Sequence, residues 1–333
     1  MEATHTNPQT IAVLLMAYGS PESVDDLGAY LLDIRGGRAT PESLVEEIKE
    51  RYLLIGGRSP LLDLTRQQAL ALQDELNRRY AGQGVRFFTF LGMRHWEPRI
   101  KEAVEQIVAN GIRQVIGLVM APHSSRMSTG AYFARLDEAI AELGVELDVR
   151  RVESWHDHPG LIEAIAEHAE AARRRFGARR PYVIFTAHSL PKRILDQGDP
   201  YDAQLRETAA LLAQRLALAE GRWSFSYQSA GQSAEPWLGP QIEAAVVDLA
   251  RAGEKDLLVV PIGFVCDHVE VLYDIDIAAR QLAAVEGARL ERSASLNSSP
   301  TFVAALADIV AETGIAHSPA RSQDPHAHPL PRT

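Results

Sequence analysis

The run YVIFTA at residues 182–187 is apolar apart from one threonine, and the polar sequence HSLP follows it directly. A strand with one face in water alternates apolar and polar residues, so a run this uniform predicts a strand buried on both faces, as in a parallel sheet. Seven further short runs, each followed by turn residues, are also predicted as strands and lie at residues 11–17, 85–92, 114–121, 147–152, 224–229, 256–262 and 288–293.

Helical patterns separate most of these runs. Ala69, Leu72 and Leu76 recur at the spacing of one helix face, and Ile162 and Ile165 do so after Pro159. Alternating strands and helices predict α/β layers with right-handed crossovers. We therefore expect two doubly wound, Rossmann-like domains with four-stranded parallel sheets and a cleft between them.

The joint between the domains is expected at SWHDHPG, residues 154–160, where turn-forming residues separate a strand from a helix. This places an N-terminal domain at 1–155 and a C-terminal domain at 156–298. Ser299 and Pro300 then predict a last helix over 299–314, with Ser299 as N-cap, that packs back on the first domain. The tail, 315–333, lacks periodicity and is predicted to be disordered, although His326 and His328 could bind a metal adventitiously.

Composition narrows the classes of function. The 34 basic and 44 acidic residues give a formal net charge of −10, which argues against nucleic acid as the main partner. Cys266 is the single cysteine, which excludes a disulfide framework and an all-cysteine iron–sulfur cluster within one chain. No apolar run is long enough to span a bilayer, so we expect a cytoplasmic protein, and nothing in the sequence demands more than a monomer.

In open α/β sheets, ligands bind outside the carboxyl ends of the strands. His188 should lie there, at the end of the run 182–187. An imidazole in that place can bind a borderline metal such as Fe²⁺ or accept a proton near neutral pH. It can equally tie a loop to the backbone, and the residue alone favours neither interpretation.

A second polar element, DHVEVLYDIDIAA, follows the run at 256–262. If it is helical from Asp267, then Asp267, Glu270 and Asp274 share one face. By itself the pattern favours an N-cap aspartate and a solvated acidic face. On the floor of a cleft the same stripe would be a hydrated path for divalent cations, with Glu270 opposite His188.

Other side chains near the expected cleft are donors suited to carboxylates. The histidines that follow strands are interpreted as structural, and no nucleotide-binding glycine motif is present. The donors are Arg35, Arg51, Tyr52, Ser59 and Tyr132, and the histidines are His95, His123 and His268.

At this point the sequence resembles the ferrochelatases. The segments that carry the resemblance occur in the family's order and span residues 11 to about 310. They are MAYGSP, RYLLIGGRSPL, GMRHWEP, APHSS, TAHSLP, QSAGQSAEPWLGP and PIGFVCDHVEVLYDID. The segment after QS is most similar to the bacterial branch that acts on coproporphyrin III.

The resemblance implies a lyase of haem biosynthesis that inserts Fe²⁺ into coproporphyrin III, with no cofactor beyond the substrate iron and no iron–sulfur cluster. His188 and Glu270 match the metal-insertion pair, which lies on opposite sides of the porphyrin, and Tyr18 matches an axial ligand of the product iron. Asp274 matches an outer metal site, although Ala278 stands where some relatives carry another acid. The positions that match porphyrin contacts are Tyr18, Arg35, Arg51, Tyr52, Ser59 and Tyr132.

Three alternatives stay open from the sequence. The substrate could be protoporphyrin IX, which carries two propionates where coproporphyrin carries four. The chain could be a cobalt or nickel chelatase acting on a corrinoid precursor. It could also be a porphyrin or haem carrier without catalysis, although a carrier has no need of a cation path.

Overall fold

The computed structural model describes residues 8–231 and 233–314, which form two parallel four-stranded sheets. The first sheet has the strand order β2–β1–β3–β4, and helices α1 to α5 lie in the same part of the chain. Its strands are β1 (Gln9–Ala17), β2 (Val85–Met93), β3 (Gln114–Val119) and β4 (Asp148–Val152). Its helices are α1 (Leu27–Ile34), α2 (Glu42–Leu54), α3 (Leu61–Arg79), α4 (Ile100–Ala109) and α5 (Thr129–Leu143).

The second sheet has the order β6–β5–β7–β8, also parallel throughout. Its strands are β5 (Tyr182–His188), β6 (Trp223–Gln228), β7 (Asp256–Pro261) and β8 (Arg289–Arg292). The accompanying helices are α6 (Pro159–Arg173), α7 (Tyr201–Arg215), α8 (Ile242–Arg251), α9 (Val269–Leu272), α10 (Arg280–Val285) and α11 (Pro300–Gly314). A π-helical turn, Asp274–Ala279, joins α9 to α10. The predicted fold class is confirmed.

The inner strands of both sheets are covered on both faces, which is why β1, β3, β5 and β7 are apolar without alternation. In β1, Val13 and Leu15 pack in one cluster with Leu72 of α3. Leu14 of the same strand packs in a second cluster, with α4 and α5 on the opposite face. Every β1 residue from Ile11 to Ala17 is buried.

The two sheets share a continuous core. Phe302 of α11 belongs to the same buried cluster as strands of both sheets, and α11 contacts α3, α6 and β4. Nε2 of Gln68, on α3, donates to the carbonyl oxygens of Val265 at 3.1 Å and Asn297 at 2.9 Å. The division into domains at residue 155 stays a prediction.

The last helix begins at Pro300, as expected, but Ser299 does not cap it with its side chain. The Ser299 hydroxyl is buried and has no hydrogen-bond partner within the described residues. The predicted disordered tail, 315–333, with His326 and His328, lies outside the described residues. None of the described helices is both long enough and apolar enough to cross a membrane.

Candidate active site

The carboxyl ends of β5 and β7 bring His188 and Glu270 together. His188 is the last residue of β5, and Glu270 lies in the first turn of α9, just after β7. Nδ1 of His188 lies 3.1 Å from Oε2 of Glu270. The two side chains are 31% and 35% exposed, so the pair is sheltered but reachable from solvent.

The pair shifts both protonation equilibria. Burial lowers the pKa of His188, but the Glu270 carboxylate outweighs burial, and the pKa of His188 is raised above its usual value. Burial also opposes the charged form of Glu270, yet His188 and His268 hold the pKa of Glu270 well below its usual range. Nε2 of His268 lies 3.7 Å from the same carboxylate oxygen. Glu270 therefore faces two imidazoles.

Three residues that the sequence did not single out hold the pair in place. The Tyr201 hydroxyl donates to the carbonyl oxygen of His188 at 2.9 Å. Nε2 of Gln228 donates to the carbonyl oxygen of Glu270 at 3.0 Å, and the Trp237 ring meets the His188 ring edge-on at 6.4 Å. The pairing register of β5 and β6 could have identified Gln228, because Gln228 is the last residue of β6 and lies beside His188.

Asp274 follows Glu270 by about one turn and is only 8% exposed. It accepts a hydrogen bond from the Ser229 hydroxyl. Burial, and then the charge of Glu270, raise the pKa of Asp274 to about 6. The buried carboxylate of Asp274 and the partly exposed carboxylate of Glu270 therefore repel each other, and a divalent cation near them would relieve this repulsion.

The prediction that Asp267 joins this stripe is wrong. The helix begins at Val269 rather than at Asp267. The Asp267 carboxylate is taken up by Arg292 at 3.2 Å, with Ser295 and Asn297 donating hydrogen bonds to it. These partners turn it away from the pair formed by Glu270 and Asp274.

The first sheet contributes phenols that face the same carboxylate. Tyr18 follows β1, is 40% exposed and packs on the His95 ring at 4.7 Å. Removal from water, and then the charge of Glu270, raise the pKa of Tyr18 to about 12. Burial and then Glu270 also raise the pKa of Tyr52, and Glu270 acts in the same direction on the buried Tyr132. All three sequence-predicted tyrosines therefore lie within the electrostatic reach of Glu270.

Two of the predicted cationic side chains have unused donors. Nε of Arg35 and Nε of Arg51 are buried and have no hydrogen-bond partner within the described part of the chain. Arg51 pairs with Glu47 at 2.6 Å and lies over the Tyr273 ring at 5.1 Å. It also lowers the pKa of Asp274, so Arg51 lies close to the acidic pair.

The structure does not bring every predicted residue to the pair. Within residues 8–231 and 233–314, no hydrogen bond or ion pair joins Arg35 or Ser59 to His188 or Glu270. Ser59 is 7% exposed and accepts a hydrogen bond from the backbone N–H of Leu61 at 3.3 Å.

The other histidines after strands are tied into the fold. Nδ1 of His95 lies 2.8 Å from an Asp33 carboxylate oxygen, and Nε2 of His123 lies 2.9 Å from the Thr208 hydroxyl. His268 was expected to be structural, and its Nδ1 does lie 3.1 Å from the carbonyl oxygen of Cys266. Its second nitrogen nevertheless faces Glu270, so it belongs to the site.

An imidazole in contact with a carboxylate, as in His188 and Glu270, can bind a metal ion or accept a proton. The ferrochelatase family model matches residues 10–314. The chain belongs to the ferrochelatase family. The chain is therefore an enzyme of the family that inserts a metal ion into a porphyrin.

Named relatives in the ferrochelatase family are similar over nearly their whole length. The chain is 42% identical to a ferrochelatase of Deinococcus radiodurans over 92% of this chain and 97% of that protein. It is 39% identical to a coproporphyrin III ferrochelatase of Geobacillus kaustophilus over 93% of this chain and 99% of that protein.

Solved structures show the same fold at low identity. SirB from Bacillus subtilis, solved with Fe³⁺, has a TM-score of 0.56 at 11% identity and covers 92% of this chain and 96% of that chain. CbiX, described as the terminal enzyme of sirohaem biosynthesis in denitrifying bacteria, has a TM-score of 0.51 at 13% identity over 90% of this chain and 98% of that chain. Ferrochelatases and these proteins share the two-sheet architecture.

Proposed function

We propose that this ferrochelatase inserts Fe²⁺ into coproporphyrin III, giving iron coproporphyrin III in haem b biosynthesis. The observation that carries the proposal is the contact of 3.1 Å between His188 and Glu270 at the carboxyl end of β5. The coproporphyrin III ferrochelatases among the relatives support the choice of substrate.

The chemical obstacle is the pair of pyrrole N–H protons that point at the place where the metal must go. A positioned base lowers this barrier by accepting a proton as the metal–nitrogen bond forms. Glu270 engages Nδ1 of His188, which leaves Nε2 as the ring nitrogen for the substrate. The carboxylate also stabilises the imidazolium that results. In this proposal His188 accepts the two pyrrole protons one after the other and releases each to the solvent that reaches its ring.

Glu270 and Asp274 would guide the incoming cation. Glu270 is the carboxylate nearer to His188, and Asp274 is the more deeply buried partner beside Ser229. Iron would pass from Asp274, as an outer site, to Glu270 and then to the porphyrin. Tyr18, on the opposite sheet, would bind the product iron axially.

The propionates would be bound by the donors of the first sheet. The buried, unused Nε atoms of Arg35 and Arg51 support this role, because a buried donor without a partner is costly. Ser59, Tyr52 and Tyr132 would complete the polar contacts. Four propionates use such donors more fully than two, which favours coproporphyrin over protoporphyrin.

The test is anaerobic insertion of Fe²⁺ by the purified protein, followed by absorbance, with coproporphyrin III and protoporphyrin IX in parallel. We expect a strong preference for coproporphyrin III. An equal or reversed preference would reject the proposed substrate, and tight porphyrin binding without insertion would reject catalysis.

A matched pair of variants tests the propionate contacts. Arg51→Met should raise KM for coproporphyrin III, whereas Arg251→Met, on the exposed end of α8 and paired with Glu286, should leave it unchanged. An unchanged KM in Arg51→Met would reject this contact. The monomeric state, the cytoplasmic location and independence of an iron–sulfur cluster stay predictions.

A further inference from the structure

The segment APHSS, residues 121–125, has no part in the insertion chemistry proposed above. It connects β3 to the region that leads into α5, and it lies against α7 of the second sheet. Nε2 of His123 lies 2.9 Å from the Thr208 hydroxyl. The backbone N–H of Ser124 donates to Oε1 of Gln204 at 2.6 Å. A loop of the first sheet is therefore bound along a helix of the second.

Asp199, two residues before α7 begins, bonds to both sides of this junction. Its Oδ2 accepts hydrogen bonds from the Ser125 hydroxyl at 3.1 Å and from the backbone N–H of Arg126 at 2.8 Å. Its Oδ1 accepts from the backbone N–H of Tyr201, the first residue of α7, at 3.1 Å. One side chain therefore bridges the loop after β3 and the first turn of α7.

The surroundings of Asp199 make this bridge rigid. The residue is only 7% exposed and forms no ion pair within residues 8–231 and 233–314. A buried carboxylate is costly unless it is hydrogen-bonded, so these three donors hold it in one place. Buried polar groups that are fully hydrogen-bonded fix the relative positions of their partners.

Each end of the bridge leads to the insertion site. On the second sheet, the Tyr201 hydroxyl donates to the carbonyl oxygen of His188 at 2.9 Å. On the first sheet, the Thr129 hydroxyl, at the start of α5, donates to the carbonyl oxygen of Ser125 at 3.1 Å. Helix α5 carries Tyr132 one turn later. The contacts therefore run from the helix of Tyr132 to the strand end of His188.

We propose that Asp199 is a positioning residue for metal insertion, which sets the place of His188 relative to the porphyrin contacts on the first sheet. This inference rests on the proposed role of His188 as proton acceptor. Asp199 itself does not touch the substrate and acts through Tyr201. A displacement of about 1 Å at a reacting group can slow a reaction by about a hundredfold, so a small shift of α7 is enough.

Asp199→Asn breaks the bridge while keeping the shape of the side chain. The two carboxylate oxygens face the backbone N–H groups of Arg126 and Tyr201, and an amide offers only one acceptor oxygen. Whichever way the amide turns, one of the two N–H groups meets an NH₂ group, and that link is lost.

The test measures single-turnover Fe²⁺ insertion, under anaerobic conditions, by protein already loaded with coproporphyrin III. Asp199→Asn should slow insertion at least about tenfold, because His188 moves relative to the pyrrole nitrogens. The affinity for coproporphyrin III should stay within about threefold of wild type, because the proposed porphyrin contacts lie on the first sheet. A general loss of structure would weaken both properties together.

Asp202→Asn is the matched control, since it makes the same change three residues later, in the first turn of α7. Asp202 pairs with Arg206 at 3.0 Å and accepts a hydrogen bond from the Tyr227 hydroxyl, and both partners belong to the second sheet and its helices. This variant should insert iron at the wild-type rate.

An unchanged insertion rate in Asp199→Asn, or an equal loss in Asp202→Asn, would overturn the role of Asp199. Circular dichroism checks the fold. If Asp199→Asn does not fold, Ser125→Ala removes one of the three donors and should slow insertion at least about threefold, and an unchanged rate overturns the role. Near-normal insertion by His188→Ala would instead reject the proposed function on which the inference rests.

Discussion

Nδ1 of His188 lies 3.1 Å from Oε2 of Glu270, although 82 residues separate them in the chain. The contact forms because β5 and β7 are adjacent parallel strands whose carboxyl ends meet at one edge of the sheet. Burial alone would disfavour both charged forms, but together they stabilise each other. The pair is therefore the electrostatic centre of the site.

Replacing Glu270 by glutamine should lower the pKa of His188. The carboxylate of Glu270 raises this pKa against the effect of burial, so in Glu270→Gln burial is opposed only by the charge of Asp274. Titration of the His188 imidazole by ¹H–¹³C NMR measures the change. The control is Glu286→Gln, which changes a glutamate paired with Arg251 rather than with His188. This variant should leave the titration of His188 unchanged. A His188 pKa equal in wild type and Glu270→Gln would contradict the coupling.

The same pair has a pH-dependent effect on stability. His188, whose pKa is raised in the folded state, stabilises the fold fully below about pH 6.5, and this contribution is lost as the pH rises through the folded pKa. Glu270, whose pKa is lowered, stabilises the fold above about pH 4.3, and this contribution is lost as the pH falls through its folded pKa. Both contributions are therefore present together in mildly acidic solution.

Asp274→Asn should weaken the use of metal without affecting the porphyrin. Asp274 has a pKa of about 6, so its carboxylate is charged at pH 7.5 and largely protonated at pH 5. We expect KM for the metal to rise about tenfold at pH 7.5 and to change little at pH 5. Steady-state kinetics with Zn²⁺ as the inserted metal measure this, with exposed Asp248→Asn as control. A tenfold rise in KM for the porphyrin instead would contradict a role in metal delivery.

Arg292 should be a major stabiliser of the segment that carries Glu270. It contacts Asp276 in the π-helical turn through two hydrogen bonds of 2.9 and 2.8 Å, and Asp267 before α9 at 3.2 Å. Its side chain is 11% exposed, so removing it takes the cation from Asp267 and leaves Asp276 with only the more exposed Arg280. Arg292→Met should lower the free energy of unfolding by about 2 kcal/mol.

The control for this prediction is Arg280, which pairs with the same Asp276 at 3.5 Å but is 48% exposed. Arg280→Met should change the free energy of unfolding by less than about 0.5 kcal/mol, as for other exposed ion pairs. Urea denaturation measures both variants. If Arg292→Met and Arg280→Met lost equal free energies of unfolding, the stabilising role of Arg292 would be contradicted.

The fold could be predicted because a uniformly apolar run indicates a strand that is buried on both faces. The run 182–187 matches β5, Tyr182–His188, within one residue, since both faces of that strand are covered. The position of His188 at the carboxyl end of this strand follows from the same argument. The direct contact with Glu270 was not predicted. The resemblance implied that His188 and Glu270 lie on opposite sides of the porphyrin, whereas the structure places their side chains 3.1 Å apart.

The path of the chain around Asp267 could not be predicted. Helical spacing put Asp267, Glu270 and Asp274 on one face, but Arg292, 25 residues later, binds Asp267 and Asp276. A partner so distant in sequence leaves no local periodic signal. The support from Tyr201 was missed for the same reason, because its hydroxyl reaches a backbone carbonyl rather than a side chain.

The most direct test of the site is single-turnover Fe²⁺ insertion, under anaerobic conditions, by protein already loaded with coproporphyrin III. His188→Ala should slow insertion by at least about a hundredfold while porphyrin affinity stays within about threefold of wild type. His168→Ala, a change on the exposed part of α6, should insert iron at the wild-type rate. Near-normal insertion by His188→Ala would contradict the assignment of His188 as the proton acceptor.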